Sequence, residues 1–242
     1  MTRQDELNAA ADRGFADLWS PVFDAGQLRG DRMRANDNVC ELLDDMPADA
    51  ETRLILEEDV ARAIGHLMRA LCIDYKNDHN TRETPARIAR MFVREVMAGR
   101  FTPQPDITSF PNDLRLDELY VTGPITVRSM CSHHFVPIIG KAWIGVIPGE
   151  DSVIGLSKFN RLVEWIFARP QIQEEATVQL ADIIEQQAKP KGLAVLVVAS
   201  HMCMTWRGVR ESQEATMRTS VLRGAMRERP EARNEFFQLV NL

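Results

Sequence analysis

The sequence predicts an α+β fold in one main domain, because helical and strand patterns follow each other in blocks along the chain. Two amphipathic helices come first, then a pair of strands, two more helices and a buried strand. Runs of β-branched and aromatic residues indicate the strands, and apolar residues at helical spacing indicate the helices. No internal repeat is evident in this order.

The first predicted helix covers residues 51–73, and a second opens at Thr84, which can cap it, with Pro85 in its first turn. This second helix is expected to stop near Gly99. Cys72 is expected in the core, at the end of the first helix. The apolar residues that define the two helices are Val60, Ile64, Leu67, Met68 and Leu71, then Ile88, Met91, Phe92 and Val96.

Two strands are predicted next, through Tyr120–Val127 and Val136–Ile147, with the segment Cys131–Phe135 between them. The later part of the chain contains two helices, a strand and a closing helix. These elements are predicted at residues 156–169, with Pro170 ending the helix, and at 171–188, 192–207 and 231–240.

The composition of the chain excludes some classes of function. The chain has 242 residues, 45% of them apolar, and 29 basic against 35 acidic side chains give a net charge of −6. This balance argues against a general nucleic-acid binder, although a local basic cluster can still bind an anionic substrate. No apolar stretch is long enough to span a bilayer and no signal-like core is present, so no membrane association and a cytoplasmic location are expected.

The first fifty residues form a separate segment in this prediction. Residues 1–50 are expected to be an N-terminal arm, partly helical or flexible, ahead of a catalytic domain at residues 51–242. Within the arm, Gln4–Phe23 could form an amphipathic helix, and Arg29–Asp49 is interpreted as a loose linker.

Two short Cys/His segments carry the chemistry. Cys131 and His134 have a C-x-x-H spacing that lets both side chains turn toward one metal ion. In the second segment, strand alternation would place His201, Cys203 and Arg207 on one face.

Together, Cys131, His134 and Cys203 would form a Cys₂His set that leaves one position of a tetrahedral zinc ion open, as in catalytic sites. His133 and His201 would then remain beside the metal as proton carriers. A structural Cys₂His₂ site, with His201 or His133 as the fourth ligand, is the open alternative.

A glycine followed by polar and basic residues opens the helix near residue 156. Ser157 and Lys158 lie at the helix N-terminus, which favours anions, and Arg161 shares a face with Lys158. With Arg207, these side chains suit a polyphosphate, although a solvated helix face would look the same.

Five motifs resemble those of the GTP cyclohydrolase I family over roughly residues 51–241. They are T-P-x-R at Thr84–Arg87, C-E-H-H at Cys131–His134, V-I-G-L-S-K-x-x-R at Val153–Arg161, R-P-Q-x-Q-E at Arg169–Glu174 and H-x-C-x-x-x-R-G at His201–Gly208. In combination they are far more specific than any one of them alone.

The resemblance implies zinc on Cys131, His134 and Cys203, with His133 and His201 as catalytic histidines. It also implies that Glu174 binds the guanine edge, with Gln173 nearby. The residues implied at the triphosphate are Ser157, Lys158, Arg161 and Arg207, with Arg87 and Arg90 reaching it from a neighbouring subunit.

The implied fold is the tunnelling fold (T-fold), an antiparallel sheet with helices on one side, assembled into a ring-shaped homodecamer with sites at subunit interfaces. The implied reaction converts GTP to 7,8-dihydroneopterin triphosphate and formate, as the first step of pterin or folate biosynthesis. The sequence departs from the family at Ser132, where a glutamate is usual. Three alternatives follow: a variant that stops at a formamidopyrimidine, one that serves a deazaguanine pathway, and a non-catalytic zinc-binding homologue.

Overall fold

The computed structural model describes residues 34–39, 50–212 and 214–241. These residues fall into two compact units, residues 50–90 and residues 34–39 with 91–241. The helix expected over Gln4–Phe23 and the side chain of Cys40 lie outside the described residues, and the boundary at residue 50 stays a prediction. No helix within the described ranges combines the length and the apolar composition needed to cross a membrane.

Both predicted N-terminal helices are confirmed. Helix α1 covers Ala50–Ala70, and α2 covers Thr84–Met91 and continues into a π-helical turn, Phe92–Val96, and a 3₁₀ turn, Ala98–Arg100. Cys72 is exposed, contrary to the prediction, because the chain has already left α1 there in a left-handed conformation (φ 60°).

The second unit is built on a five-stranded sheet in the order β5-β2-β3-β6-β7. Its strands are β2 (Tyr120–Cys131), β3 (Pro137–Ile147), β5 (Pro170–Gln171), β6 (Gly192–His201) and β7 (Met217–Gly224). All pairs are antiparallel except the short parallel pair of β2 and β5. The predicted mixture of helices and an antiparallel sheet is therefore confirmed, whereas β7 was not predicted.

The remaining elements surround this sheet. A two-stranded sheet pairs β1 with β4, and the predicted helices near residues 156, 171 and 231 are all present. Their bounds are β1 Ser109–Pro111, β4 Ser152–Ile154, α3 Leu156–Phe167, α4 Gln173–Ala188, α5 Met202–Thr205, α6 Ala225–Glu228 and α7 Pro230–Val240.

Helices pack on both faces of the sheet. On one face, α3 and α4 bury Phe159 and Leu180 against Ile144 and Val195, as their apolar periodicity requires. The alternate residues of the same strands project to the other face, where Trp143 packs with residues of α6 and α7 such as Phe236. The prediction that helices cover one side only is wrong, because the closing helix α7 has an apolar face of its own to bury.

Strand β6 ends at His201, and the prediction that it continues to Arg207 is wrong. His201 forms the last pair of β6 with β3, and its partner there is Ile138. The pairing of β6 with β7 already ends at Ala199. Pro137, where β3 begins, has no N–H to offer a longer ladder. The following residues therefore satisfy their backbone groups within helix α5, where Trp206 N donates to Met202 O at 3.0 Å.

Gly140 allows β3 and β6 to approach closely. A Cβ added there would collide with Val198 O and lie 2.5 Å from Ala199 Cβ. We expect Gly140→Ala to lower the free energy of unfolding by about 2–3 kcal/mol in urea denaturation. The matched control is Gly155→Ala, whose nearest neighbour is the movable ring of Phe110 at 3.2 Å. Equal stability of the two variants would contradict this packing.

Candidate metal centre and active site

Three predicted ligands meet at one end of the sheet. The ligand atoms of Cys131, His134 and Cys203 all lie within 4.8 Å of one another. Cys131 is the last residue of β2, and a tight turn follows in which Phe135 N donates to Cys131 O at 2.9 Å. Phe135 takes a left-handed conformation (φ 51°), which reverses the chain toward Val136. This turn brings His134 back over Cys131.

Cys203 reaches the group from the first turn of α5. Arg207 lies beyond the end of α5, so neither strand alternation nor helical spacing relates it to Cys203. Arg207 Nη1 lies 3.2 Å from His134 Nε2. Arg207 therefore lies beside one metal-ligand candidate, whereas the prediction that His201, Cys203 and Arg207 share one face of a strand is wrong.

The donor set fits a divalent metal ion. Two thiols and one imidazole are ligands typical of zinc and other borderline or soft metals. Burial, and secondly the adjacent Cys131 thiol, raises the pKa of Cys203. Within the described residues the group has three members, so the four-ligand alternative gains no support from the geometry.

The two histidines predicted as proton carriers lie in the same two segments as the ligand candidates. His133 is exposed on the turn, with Nδ1 4.0 Å from Cys131 Sγ and its ring edge-on to His134. His201 is the last residue of β6 and is half-buried. Burial lowers the pKa of His201, and the negative charge of Glu174 opposes that shift.

Gln173 fixes the tautomer of His201. Gln173 Nε2 lies 3.2 Å from the carbonyl oxygens of Val197 and Met217 and 3.0 Å from Thr219 Oγ1. Because carbonyl oxygens only accept, this end of the amide is the NH₂ group. Gln173 Oε1 therefore faces His201 Nε2, at 2.9 Å, and accepts its hydrogen. The neutral His201 ring keeps its lone pair on Nδ1.

The predicted phosphate ligands are less closely assembled. Ser157 and Arg161 are exposed and Lys158 is half-exposed in the first turns of α3, opposite the buried Phe159. Arg161 lines a cleft of about 730 Å³ together with Arg94 and Arg128. The residues that line this cleft do not include the three metal-ligand candidates.

Arg87 and Arg90 belong to the other compact unit. Both are exposed on α2, and Arg87 Nη2 pairs with Glu83 at 2.8 Å. Their predicted contact with the triphosphate stays a prediction. Glu174 is exposed in the first turn of α4, directly after the buried Gln173.

The sequence did not reveal the buried polar residues that support the turn Cys131–Phe135. This turn carries two of the ligand candidates and is called the metal-binding turn below. Gln171 pairs with Cys131 across β5 and β2, and Gln171 O accepts a hydrogen bond from Ser132 N at 3.2 Å. Gln171 Nε2 donates to Ser129 Oγ, which donates to Arg169 O at 3.1 Å. The only sequence signal for these residues was the motif at Arg169–Glu174, which carries no indication of burial.

These observations define a candidate Cys/His metal site with three possible ligands at the end of an antiparallel sheet, with His133 and His201 in the same two segments. The family model for GTP cyclohydrolase I matches residues 60–241. GTP cyclohydrolase 1 of Salmonella choleraesuis is 40% identical over 193 residues, which are 79% of this chain and 84% of that protein. GTP cyclohydrolase 1 of Salmonella arizonae matches with the same identity and coverage. The chain therefore belongs to the GTP cyclohydrolase I family.

A solved structure of an archaeosine synthase QueF-like protein in the apo form is also similar. It is 16% identical, covering 44% of this chain and 92% of that one, with a TM-score of 0.35. This likeness is too weak to support a conclusion about fold or function.

Metal binding should release protons, because the raised pKa of Cys203 keeps its thiol neutral near pH 7 and a ligand thiol must be deprotonated. We expect zinc binding to metal-free protein to release at least one proton, so the zinc affinity falls about tenfold for each unit by which the pH is lowered, per proton released. Calorimetry in buffers of different ionisation enthalpy measures the number of protons released. Zinc binding without proton release contradicts the assignment.

Cys203→Ser should lose tight zinc binding, whereas Cys72→Ser, at an exposed cysteine, should retain it.

Proposed function

We propose that this protein catalyses the conversion of GTP to 7,8-dihydroneopterin triphosphate and formate with a zinc ion on Cys131, His134 and Cys203. The observation that carries the proposal is the convergence of these three ligand atoms within 4.8 Å in a chain of the GTP cyclohydrolase I family. Three protein ligands leave a fourth tetrahedral position for water. When bound, zinc would supply the Lewis acidity that activates this water for attack on the purine.

His201 is placed to move protons through Nδ1. Its Nε2–H is engaged with Gln173 Oε1 at 2.9 Å, so the ring can accept or return a proton only at the opposite nitrogen. The shift of the His201 pKa below its usual range favours the neutral, accepting form at pH 7. His133, exposed beside Cys131, is the second proton carrier of the proposal. A reaction with ring opening, loss of formate and ring closure needs proton transfers at several atoms.

The guanine and the triphosphate are assigned to exposed groups. Glu174 can accept hydrogen bonds from the ring N–H and the exocyclic amine of guanine. The amide of Gln173 is fully engaged inside the protein, so we assign it to orienting His201 instead of to substrate contact. The groups proposed for the triphosphate are Ser157, Lys158, Arg161, Arg207, Arg87 and Arg90.

We further propose the T-fold assembly of the family, a homodecameric ring with sites at subunit interfaces. The separation of the Arg161 cleft from the metal ligands supports this, because a neighbouring subunit could then bring its own Arg161 to the metal centre. Exposed apolar residues close to the metal-binding turn and α5 are consistent with burial at such an interface: Phe135, Ile139, Trp206 and Val209.

Ser132 favours a second candidate, an enzyme that stops at the formamidopyrimidine. Ser132 N is bonded to Gln171 O, and its hydroxyl stands where the family carries a carboxylate. A hydroxyl orients a neighbouring histidine or a water less strongly than a carboxylate does. A deazaguanine pathway would start from the same 7,8-dihydroneopterin triphosphate as pterin synthesis, so it is compatible with the first candidate.

Purified protein with GTP and zinc should produce equimolar formate and a fluorescent pterin after oxidation. GTP consumption and formyl-product accumulation without pterin would identify the early-stopping variant, and a strong rise in turnover in Ser132→Glu would locate its cause. Absence of GTP consumption by the zinc-loaded protein would support the non-catalytic alternative.

His201→Ala should lower the kcat for GTP by about 10²–10⁴-fold, because the variant lacks a proton carrier.

Gln173→Leu should lower kcat by about tenfold or more, while the KM for GTP changes less than about threefold. The reason is that His201 loses the acceptor that holds its tautomer, whereas no substrate contact is removed. Steady-state kinetics measures the split between kcat and KM. Asn112→Leu is the matched control, since Asn112 is also a buried amide and donates to Leu116 O and Gly149 O, at 2.9 Å each, away from His201. A rise in KM with unchanged kcat in Gln173→Leu would indicate that Gln173 binds the substrate.

A further inference from the structure

Residues 34–39, termed the strap below, lie before the matched family region, which begins at residue 60, and were predicted to be a loose linker. The strap is instead packed against the other residues of the second unit. Asn36 is 4% exposed, Asn38 2% and Val39 5%. Polar side chains so deeply buried require hydrogen-bond partners, and their partners indicate what the strap holds.

The strap bonds to the chain just after α2. Asn38 Nδ2 donates to Gly99 O at 2.8 Å and to Thr102 O at 2.6 Å. In the reverse direction, Arg100 Nη1 donates to Arg34 O at 2.8 Å. These bonds join segments more than sixty residues apart in sequence, so they are tertiary contacts and not a local turn.

Arg169 connects the strap with the metal-binding turn. Its side chain is 4% exposed and stacks on Trp165, with the guanidinium carbon 3.9 Å from the ring centroid. Arg169 Nη1 donates to Asn36 O at 3.0 Å, and Nε donates to Gly99 O at 3.1 Å. A buried guanidinium held by backbone carbonyls on one side and a ring on the other has a fixed position.

The backbone of Arg169 continues this connection. Arg169 O accepts from Ser129 Oγ, and two residues later Gln171 pairs with Cys131 and accepts the N–H of Ser132. The strap is therefore linked through Arg169 to the strand that carries one metal-ligand candidate. The path consists of buried hydrogen bonds and one strand pair, with no exposed side chain in it.

A second branch reaches the histidine side of the site. Asn36 Nδ2 donates to Glu175 Oε2 at 2.9 Å. Glu175 lies in the first turn of α4, next to Glu174 and two residues after Gln173, which holds His201. One asparagine of the strap thus contacts Arg169 through its backbone and α4 through its side chain.

We propose that residues 34–39 position the active site, with Asn36 and Arg169 as the positioning residues that hold the metal-binding turn and the first turn of α4 in register. Neither residue belongs to the three metal-ligand candidates or to the groups proposed for GTP. This inference rests on the proposed function for its effect on turnover, but its structural effect can be measured without metal or substrate.

The test uses two variants of the full-length protein and one control. Arg169→Lys keeps the charge but removes the forked contacts to Asn36 O and Gly99 O. Asn36→Asp keeps the size and the backbone carbonyl but places a carboxylate against Glu175. Asn112→Ala is the control, because Asn112 is also buried and donates to Leu116 O and Gly149 O, at 2.9 Å each, without a link to the site.

The first readout is hydrogen–deuterium exchange of the metal-free protein. We expect Arg169→Lys to exchange at least fivefold faster than wild type over residues 129–135, and Asn36→Asp at least fivefold faster over residues 172–177, with the control within twofold in both segments. The second readout is turnover of the zinc-loaded protein, where we expect kcat to fall at least tenfold in both variants and less than twofold in Asn112→Ala.

The two readouts separate the inference from the function on which it rests. If wild type does not turn over GTP but the exchange pattern is as expected, the proposed function fails and the positioning role stands. If wild type turns over GTP and the two variants behave like Asn112→Ala, the positioning role is refuted. An effect confined to Arg169→Lys also refutes it, because the strap would then not be the element that acts. If Arg169→Lys does not fold, Asn36→Asp decides alone.

Discussion

The pairing of Ile138 with His201 is the point on which the rest of the site depends. It is the last pair between β3 and β6, and Met130 pairs with Pro137 at the neighbouring position of β2 and β3. Three strands therefore end at one level of the sheet. Beyond this level Pro137 has no N–H to offer to a neighbouring strand, and Cys131 N donates to Val136 O, at 2.9 Å, inside the turn that follows β2.

The chain continues in two different ways from this level, and each way positions metal-ligand candidates. After β2 it makes the tight turn that carries Cys131 and His134, and after β6 it closes the short helix that carries Cys203. A strand end that must satisfy its backbone groups locally is a rigid place from which to project side chains. The Gln173 amide adds the second constraint, since its bonds to Val197 O and Met217 O leave one orientation toward His201.

Much of this arrangement could be predicted from the sequence. The helices and the central strands have strong periodicity, and the motifs at Cys131–His134 and His201–Gly208 indicated the ligands without any structure. The extension of β6 to Arg207 was wrong because alternation cannot tell where a partner strand ends. Strand β7 was missed since its residues are half-exposed at the sheet edge and lack a continuous apolar run.

The burial of the strap could not be predicted from the sequence, for a different reason. Its asparagines and aspartate have the composition of a linker, and their burial comes entirely from bonds to distant residues such as Gly99 and Arg169. Local propensity contains no information about such partners. The same applies to Gln173: its motif predicted a site residue, but only the contacts assign it to His201.

The central claim is a three-ligand metal centre with an open position at this strand end. X-ray absorption at the zinc edge of the purified full-length protein tests it most directly. The account predicts two sulfur ligands at about 2.3 Å, one imidazole nitrogen, and one further light atom that a small anion such as azide replaces. A shell with two imidazoles that azide leaves unchanged would contradict it, as would a shell without two sulfurs.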